Sequence, residues 1–206
     1  MSGADAIRAV CEAAQLSAPR GWAAYFDLAR IWGARTDLTS ARTDTELAEI
    51  LFLDAAQVIG AGWLEPPASL VDIGAGVGAP TIPILLSSET LYGTLVEPRR
   101  IRTAFLRTAA GALGLAERAI SLEQRLDPST PFIDGAPFSI ALSRATFSPD
   151  QWLTIGAKLA DEVWVFTAGA EPQAAEGLSL ARRLDYEVPS SGAPRSIRAY
   201  RPRHRR

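Results

Sequence analysis

The stretch Val71-Asp72-Ile73-Gly74-Ala75-Gly76-Val77-Gly78 places an acid and alternating glycines between an apolar run and a helical pattern. Glycine permits positive φ in a turn and, having no β-carbon, lets a ligand approach the backbone. The helix that follows offers unpaired N–H groups and a positive dipole end, suited to a carboxylate or phosphate. Asp72, at the strand end, is placed to orient the loop or to accept from a ligand ammonium. Glu97 closes the next apolar run, where an acid about twenty residues on accepts hydrogen bonds from a ribose diol in nucleotide-binding folds. The bland alternative is a tight turn with Glu97 as a solvated strand end; the combination of turn, acid and context outweighs it.

The rest of the chain excludes much other chemistry. The single histidine, His204, lies in the basic last residues, and the single cysteine, Cys11, has no disulfide partner. Ser-His-Asp or Cys-His catalysis and His-rich metal sites therefore lack an ordered imidazole, and no metal is expected. What remains is chemistry by carboxylates, arginines, hydroxyls or a cofactor. Two cofactors suit the glycines. A dinucleotide fits if Ala79 takes the third small position, but that motif belongs near a chain start and needs a later substrate domain. S-adenosylmethionine fits the Asp-x-Gly-x-Gly-x-Gly form better and is preferred.

With 206 residues, 48% hydrophobic and 21% charged, the chain can bury a core and suits one domain. Its net charge of -2 argues against a surface coated for nucleic acid but leaves room for a local basic patch. No signal peptide or membrane span is expected, so a cytoplasmic monomer is the default.

The elements that must position these residues follow from periodicity. Helices are expected over Asp5 to Leu16 and Gly21 to Gly33, then a polar connector from Arg35 to Asp44, then a helix over Thr45 to Ile59. From Ser69 short apolar runs alternate with amphipathic stretches. Strands are expected at Ser69–Ile73, Leu91–Glu97, Ala119–Gln124, Phe138–Ser143 and Glu162–Thr167, and helices at Ala79–Ser88, Arg99–Leu113, Pro149–Leu159 and Glu171–Leu184. Tyr186–Val188 and Ser196–Tyr200 form a closing hairpin. The pattern predicts a Rossmann-like α/β fold with a mostly parallel sheet and a C-terminal antiparallel hairpin. Residues 1–66 form a helical extension and residues 67–206 a single compact unit.

At this level the chain resembles the bacterial RsmG/GidB family, which methylates guanine N7 in small-subunit ribosomal RNA. The similarity runs from about Tyr25 to the C-terminus. Its carriers are Trp32 with Asp37-Leu38-Thr39-Ser40, Leu53-Asp54-Ala55, and the turn Val71 to Pro80 with Ile82-Pro83. Thr94-Leu95-Val96-Glu97, Phe105-Leu106-Arg107, Arg125 before Asp127, and Ser143-Arg144-Ala145 follow in family order. The resemblance implies S-adenosylmethionine held near Asp72, Gly74, Gly76, Gly78 and Glu97, with Leu126 and Asp127 near the adenine. It implies that Arg144 faces the methyl donor or the RNA as the catalytic residue, and that the partner is ribosomal RNA or the small subunit. Methyl transfer to N7 needs no general base, in keeping with the absence of an ordered histidine.

The RNA-facing half departs from the family more than the cofactor half. Ile50 and Leu51 replace an Arg-His pair, Ile101 and Ala104 stand at usually basic places, Thr167-Ala168-Gly169 replaces Lys-Gly, and Asp37 replaces Asn. The alternatives are a methyltransferase diverted to a small-molecule or protein acceptor, or a non-catalytic binding module. Arg195, Arg198, Arg201, Arg203, Arg205 and Arg206 read equally as an RNA contact, with Tyr200 to stack, or as a solubilising tail. Trp22, Tyr25, Phe26 and Trp32 read as helix packing.

Overall fold

The computed structural model describes residues 2–168 and 177–203. Three helices come first: α1 (Gly3–Ala13), α2 (Trp22–Gly33) and α3 (Asp44–Gly60). Ser2 caps α1 by accepting the Asp5 N–H, and Thr43 caps α3 by accepting the Glu46 N–H, which fixes where each begins. The chain then alternates through β1 (Ala68–Ile73), α4 (Thr81–Leu86), β2 (Leu91–Val96), α5 (Arg100–Ala112), β3 (Ala119–Leu122) and β4 (Phe138–Ser143). It closes with α6 (Pro149–Gly156), β5 (Ala160–Thr167), β6 (Leu178–Glu187) and β7 (Pro194–Pro202). Ser148 and Gln151 form a capping box on α6, with Pro149 in the first turn where its missing N–H is harmless.

The strands make one sheet in the order β3-β2-β1-β4-β5-β7-β6. Only β7 runs against its neighbours. The order reverses beside β1, which pairs with β2 on one side and β4 on the other. In open sheets that reversal leaves a crevice at the C-terminal strand ends, where ligands bind. One sheet face carries α1 to α5, whose apolar sides merge with Leu70, Leu95, Leu142 and Trp164 in one core. The other carries α6, with Trp152, Leu153 and Ile155 set against Val71, Ala141 and Val163. Trp22 stacks on Phe52 at 4.5 Å between centroids, and Trp22, Tyr25 and Phe26 are buried, as helix packing requires.

The C-terminal part corrects two expectations. Residues 178–184 are strand, not helix; the expected helix's earlier residues, 171–176, lie outside the described residues. Gly177, at φ +82°, breaks any helix running into this segment, and Leu184 and Tyr186 pack on the core at the two-residue spacing of a strand. The hairpin is accordingly longer than expected. Arg195, Arg198 and Arg201 of the basic run lie in strand β7, so this part is ordered strand and not a loose tail. Arg198 is buried and donates to Asp185 Oδ1 at 2.8 Å, Arg201 Nε donates to Glu162 Oε2 at 2.5 Å, and Arg203 Nε to the Leu178 carbonyl at 3.0 Å. Tyr200 is buried and unavailable for stacking on a base. Arg205 and Arg206 lie outside the described residues.

Candidate active site

After Asp72 the chain leaves the sheet through the glycine turn. The Gly74 and Ala75 N–H groups both donate to the Val96 carbonyl, at 2.8 and 3.1 Å, so the turn is tied to the end of β2. Gly74 and Gly76 sit at φ +77° and +59°, where a β-carbon is unfavourable. At Gly74 a β-carbon would also collide with Thr146 Oγ1, whereas at Gly76 it would meet nothing nearer than the Gly74 carbonyl oxygen at 3.8 Å. Gly76 is therefore the position that leaves room for a ligand. Gly78 does different work: a β-carbon there would fall 2.6 Å from Ile82 Cδ1 and 2.8 Å from Leu106 Cδ2, so its smallness lets the turn pack on α4 and α5.

Buried side chains hold this turn from behind. Glu97 Oε2 accepts the Gly76 N–H at 2.9 Å and Oε1 accepts the Arg99 N–H at 2.9 Å. Tyr25, on α2, donates its hydroxyl to the Val77 carbonyl at 2.5 Å. Burial raises its ionisation above the ordinary phenol range, so the donor proton stays in place. Thr81 donates to Asp72 Oδ2 at 2.7 Å. Burial pushes the Asp72 carboxyl up to about 7; the Thr81 hydrogen bond and Arg144 oppose the rise, and the Glu97 charge adds to it.

Of the two roles expected of Asp72, the contact with Thr81 supports the one of orienting the loop, since the side chain is buried. The expected helix-end anion site is corrected. α4 has only 6 residues, Pro80 and Pro83 bring no N–H, and the Ile82 N–H is taken by the Gly78 carbonyl at 2.6 Å.

In front of Gly74 and Gly76 lies a cavity of about 940 Å³. Its walls are the connector from Leu38 to Arg42, one side of α3, the loop after β4, the end of β5, and the β6–β7 hairpin. Arg42, Arg102, Arg144 and Arg195 line it, together with Glu46, Glu49 and Asp54. Glu49 clamps the hairpin, accepting the Ser190 N–H and hydroxyl, each at 2.8 Å. At the end of β4, Ser143 donates to the Ile73 carbonyl at 2.7 Å, fixing the start of the next loop against β1. Arg144 Nη1 then reaches α3, donating to the Ile50 carbonyl at 2.9 Å and to Asp54 Oδ2 at 3.0 Å. Tyr186 donates to the other carboxylate oxygen of Asp54 at 2.6 Å. Ala145 follows at φ +60°, a sparsely populated region for a residue with a β-carbon, and it also lines the cavity.

Of the residues singled out from sequence, Gly74, Gly76 and Arg144 meet on this cavity. Asp72, Gly78 and Glu97 lie behind the turn and shape it. Leu126 is buried in the core of the opposite sheet face. Asp127 is an exposed turn residue that accepts from Ser129 Oγ at 2.7 Å and Thr130 Oγ1 at 3.0 Å, bonds that hold its carboxyl below the usual range. Neither of these two reaches the cavity. Sequence reasoning missed Asp54, Tyr186 and Tyr25 as parts of the site. Asp54 did carry a signal, being a lone acid inside the apolar run of α3 from Ile50 to Ala56.

Comparison with known proteins agrees with this architecture. The family model described as rRNA small subunit methyltransferase G matches residues 20–179. A protein named Ribosomal RNA small subunit methyltransferase G from Anaeromyxobacter dehalogenans (strain 2CP-1) is 30% identical over 190 residues, covering 87% of this chain and 86% of its own. One of the same name from Myxococcus xanthus is 29% identical, covering 82% and 81%. Among solved structures, TrmN from Thermus thermophilus superposes with a TM-score of 0.55 at 18% identity, covering 86% of this chain and 52% of that one. The mitomycin 7-O-methyltransferase MmcR gives 0.50 at 19% identity, covering 88% and 67%. The structural likenesses show the Rossmann-like methyltransferase fold, and the extent of the sequence match shows more: the chain belongs to the rRNA small subunit methyltransferase G (GidB) family.

Proposed function

We propose that this chain transfers a methyl group from S-adenosylmethionine to N7 of a guanine in small-subunit ribosomal RNA. By family and fold it is an S-adenosylmethionine-dependent methyltransferase. The observation that carries the site assignment is Gly76, whose open side faces a cavity large enough for a nucleoside donor and an acceptor base together. The free space at Gly76 and the adjoining cavity fit the donor.

S-adenosylmethionine, when bound, supplies a methyl group made electrophilic by its sulfonium. The protein's part is to position and to exclude water. Gly74 and Gly76 offer a backbone surface without β-carbons, and Glu97 keeps that surface in shape through the Gly76 N–H. Glu97 acts on the donor through the turn, since each of its oxygens is engaged by a backbone N–H behind the cavity. Arg144, held against α3, is the group to contact the acceptor or the donor. A guanine N7 presents its own lone pair, so no side chain need remove a proton. Residues 1–66 then act as the helical extension that walls the cavity of the unit formed by residues 67–206.

The test is methyl transfer from radiolabelled donor to undermodified small ribosomal subunits. Label recovered as N7-methylguanosine is expected, and Arg144→Ala should lower the rate about a hundredfold. Label in small metabolites or protein but never in RNA would overturn the proposed acceptor.

A further inference from the structure

The cavity wall holds one ion pair among the described residues, Arg144 with Asp54. Its hydrogen bonding is one-sided. Arg144 engages the protein only through Nη1; its Nε and Nη2 bond to nothing among the described residues. Both Asp54 oxygens are taken, one by Arg144 and one by Tyr186. The Asp54 side chain is 12% exposed and that of Arg144 29%, so solvent screens this pair less than a surface pair. Arginines outnumber acids on this wall. Without Asp54, a cation entering beside Arg144 would meet an unopposed positive charge.

A sulfonium is such a cation, and the thioether left after transfer is neutral at sulfur. We propose that Asp54 is the counter-charge of the site: clamped by Tyr186, it neutralises Arg144 and so removes the repulsion that would disfavour the cationic methyl donor relative to its product, neutral at sulfur. Asp54 is a positioning residue in this account, acting through Arg144. The proposal rests on the methyl-donor reading above and adds a residue and a charge discrimination to it. In the transfer, the N7–carbon bond forms as the carbon–sulfur bond breaks, the electron pair goes to sulfur, and no proton moves.

The test is calorimetric titration of the full chain with S-adenosylmethionine and with S-adenosylhomocysteine, read as the ratio of the two Kd values. The ligands share adenosine, carboxylate and ammonium, so contacts to those groups and any loss of folded protein cancel in the ratio. Asp54→Asn should shift the ratio about tenfold toward the thioether, the size expected for removing one partly screened charge. Arg144→Ala should shift it the opposite way, and it carries the test alone if Asp54→Asn does not fold. Tyr186→Phe keeps both charges and should leave the ratio within about twofold of wild type. An Asp54→Asn ratio equal to wild type, an Arg144→Ala shift toward the thioether, or a Tyr186→Phe shift as large as that of Asp54→Asn overturns the proposal. A wild-type chain that binds neither ligand overturns it together with the methyl-donor reading; one that binds both while these ratios fail overturns it alone.

Discussion

The Glu97 carboxylate accepts the Gly76 N–H at 2.9 Å, so the end of β2 holds the tip of the turn that follows β1. Its second oxygen accepts the Arg99 N–H at the start of α5, and one side chain thereby fixes two segments. Glu97→Ala strands both donors in a buried setting, which should cost about 3 kcal/mol of stability. Glu97→Gln keeps one acceptor oxygen and should fall between alanine and wild type. Urea denaturation measures the stability, and donor titration should show weakening of about tenfold or more for the alanine variant.

Asp72 makes stability depend on pH. Burial raises its folded-state value to about 7, against about 4 for an ordinary aspartate. Between those limits the folded chain retains a proton that the unfolded chain has released. The stability linked to this group is therefore full below about pH 4 and is lost as pH rises through about 7. Asp72→Asn preserves the acceptor for Thr81 and has no charge to bury. Between pH 5 and pH 8 the wild type should lose about 2 kcal/mol more than the variant by denaturant unfolding. Parallel profiles for the two proteins would contradict the assignment.

Tyr25 links the N-terminal helices to the turn through the Val77 carbonyl. Tyr25→Phe should cost about 1–2 kcal/mol, because that carbonyl then lacks its partner in the core. The same change should weaken donor binding several-fold without altering the helical content seen by circular dichroism.

What the sequence made legible divides along physical lines. β1 and β4 are apolar runs enclosed on both faces, β2 is one whose Tyr92 is exposed, and the limits of all three fall within a residue or so of expectation. The glycine turn was legible because φ and close approach restrict the residue type. The β6 strand was not, since Leu178, Ala181 and Leu184 also satisfy helical spacing and only the sheet decides between them. The arginines of β7 read equally as an RNA contact or a tail because the acceptors of Arg198 and Arg201, Asp185 and Glu162, lie on other strands. The Asp54–Tyr186 bond spans 132 positions, and no local pattern in one sequence reports such a contact.

Glu162 anchors the hairpin to the rest of the sheet. It is buried and accepts from Trp164 Nε1 at 2.6 Å, from Arg201 Nε at 2.5 Å and from Arg182. Arg182 also lies over the Trp63 ring and donates to the Trp63 carbonyl at 2.7 Å. Glu162→Ala leaves these donors without their acceptor and should destabilise the fold by about 3 kcal/mol, measured as a lowered urea midpoint. Glu162→Gln, which keeps one acceptor oxygen, should recover part of that loss.

The most direct measurement is calorimetric titration of S-adenosylmethionine into wild type and Gly76→Ala. A β-carbon at Gly76 has space in the free protein and carries only the local backbone penalty, about 1 kcal/mol. It would, however, stand where the donor must lie against the turn. The account predicts saturable binding to the wild type and a loss of tenfold or more in a variant that remains folded. Equal affinity in the two proteins, or no binding to the wild type, would contradict it.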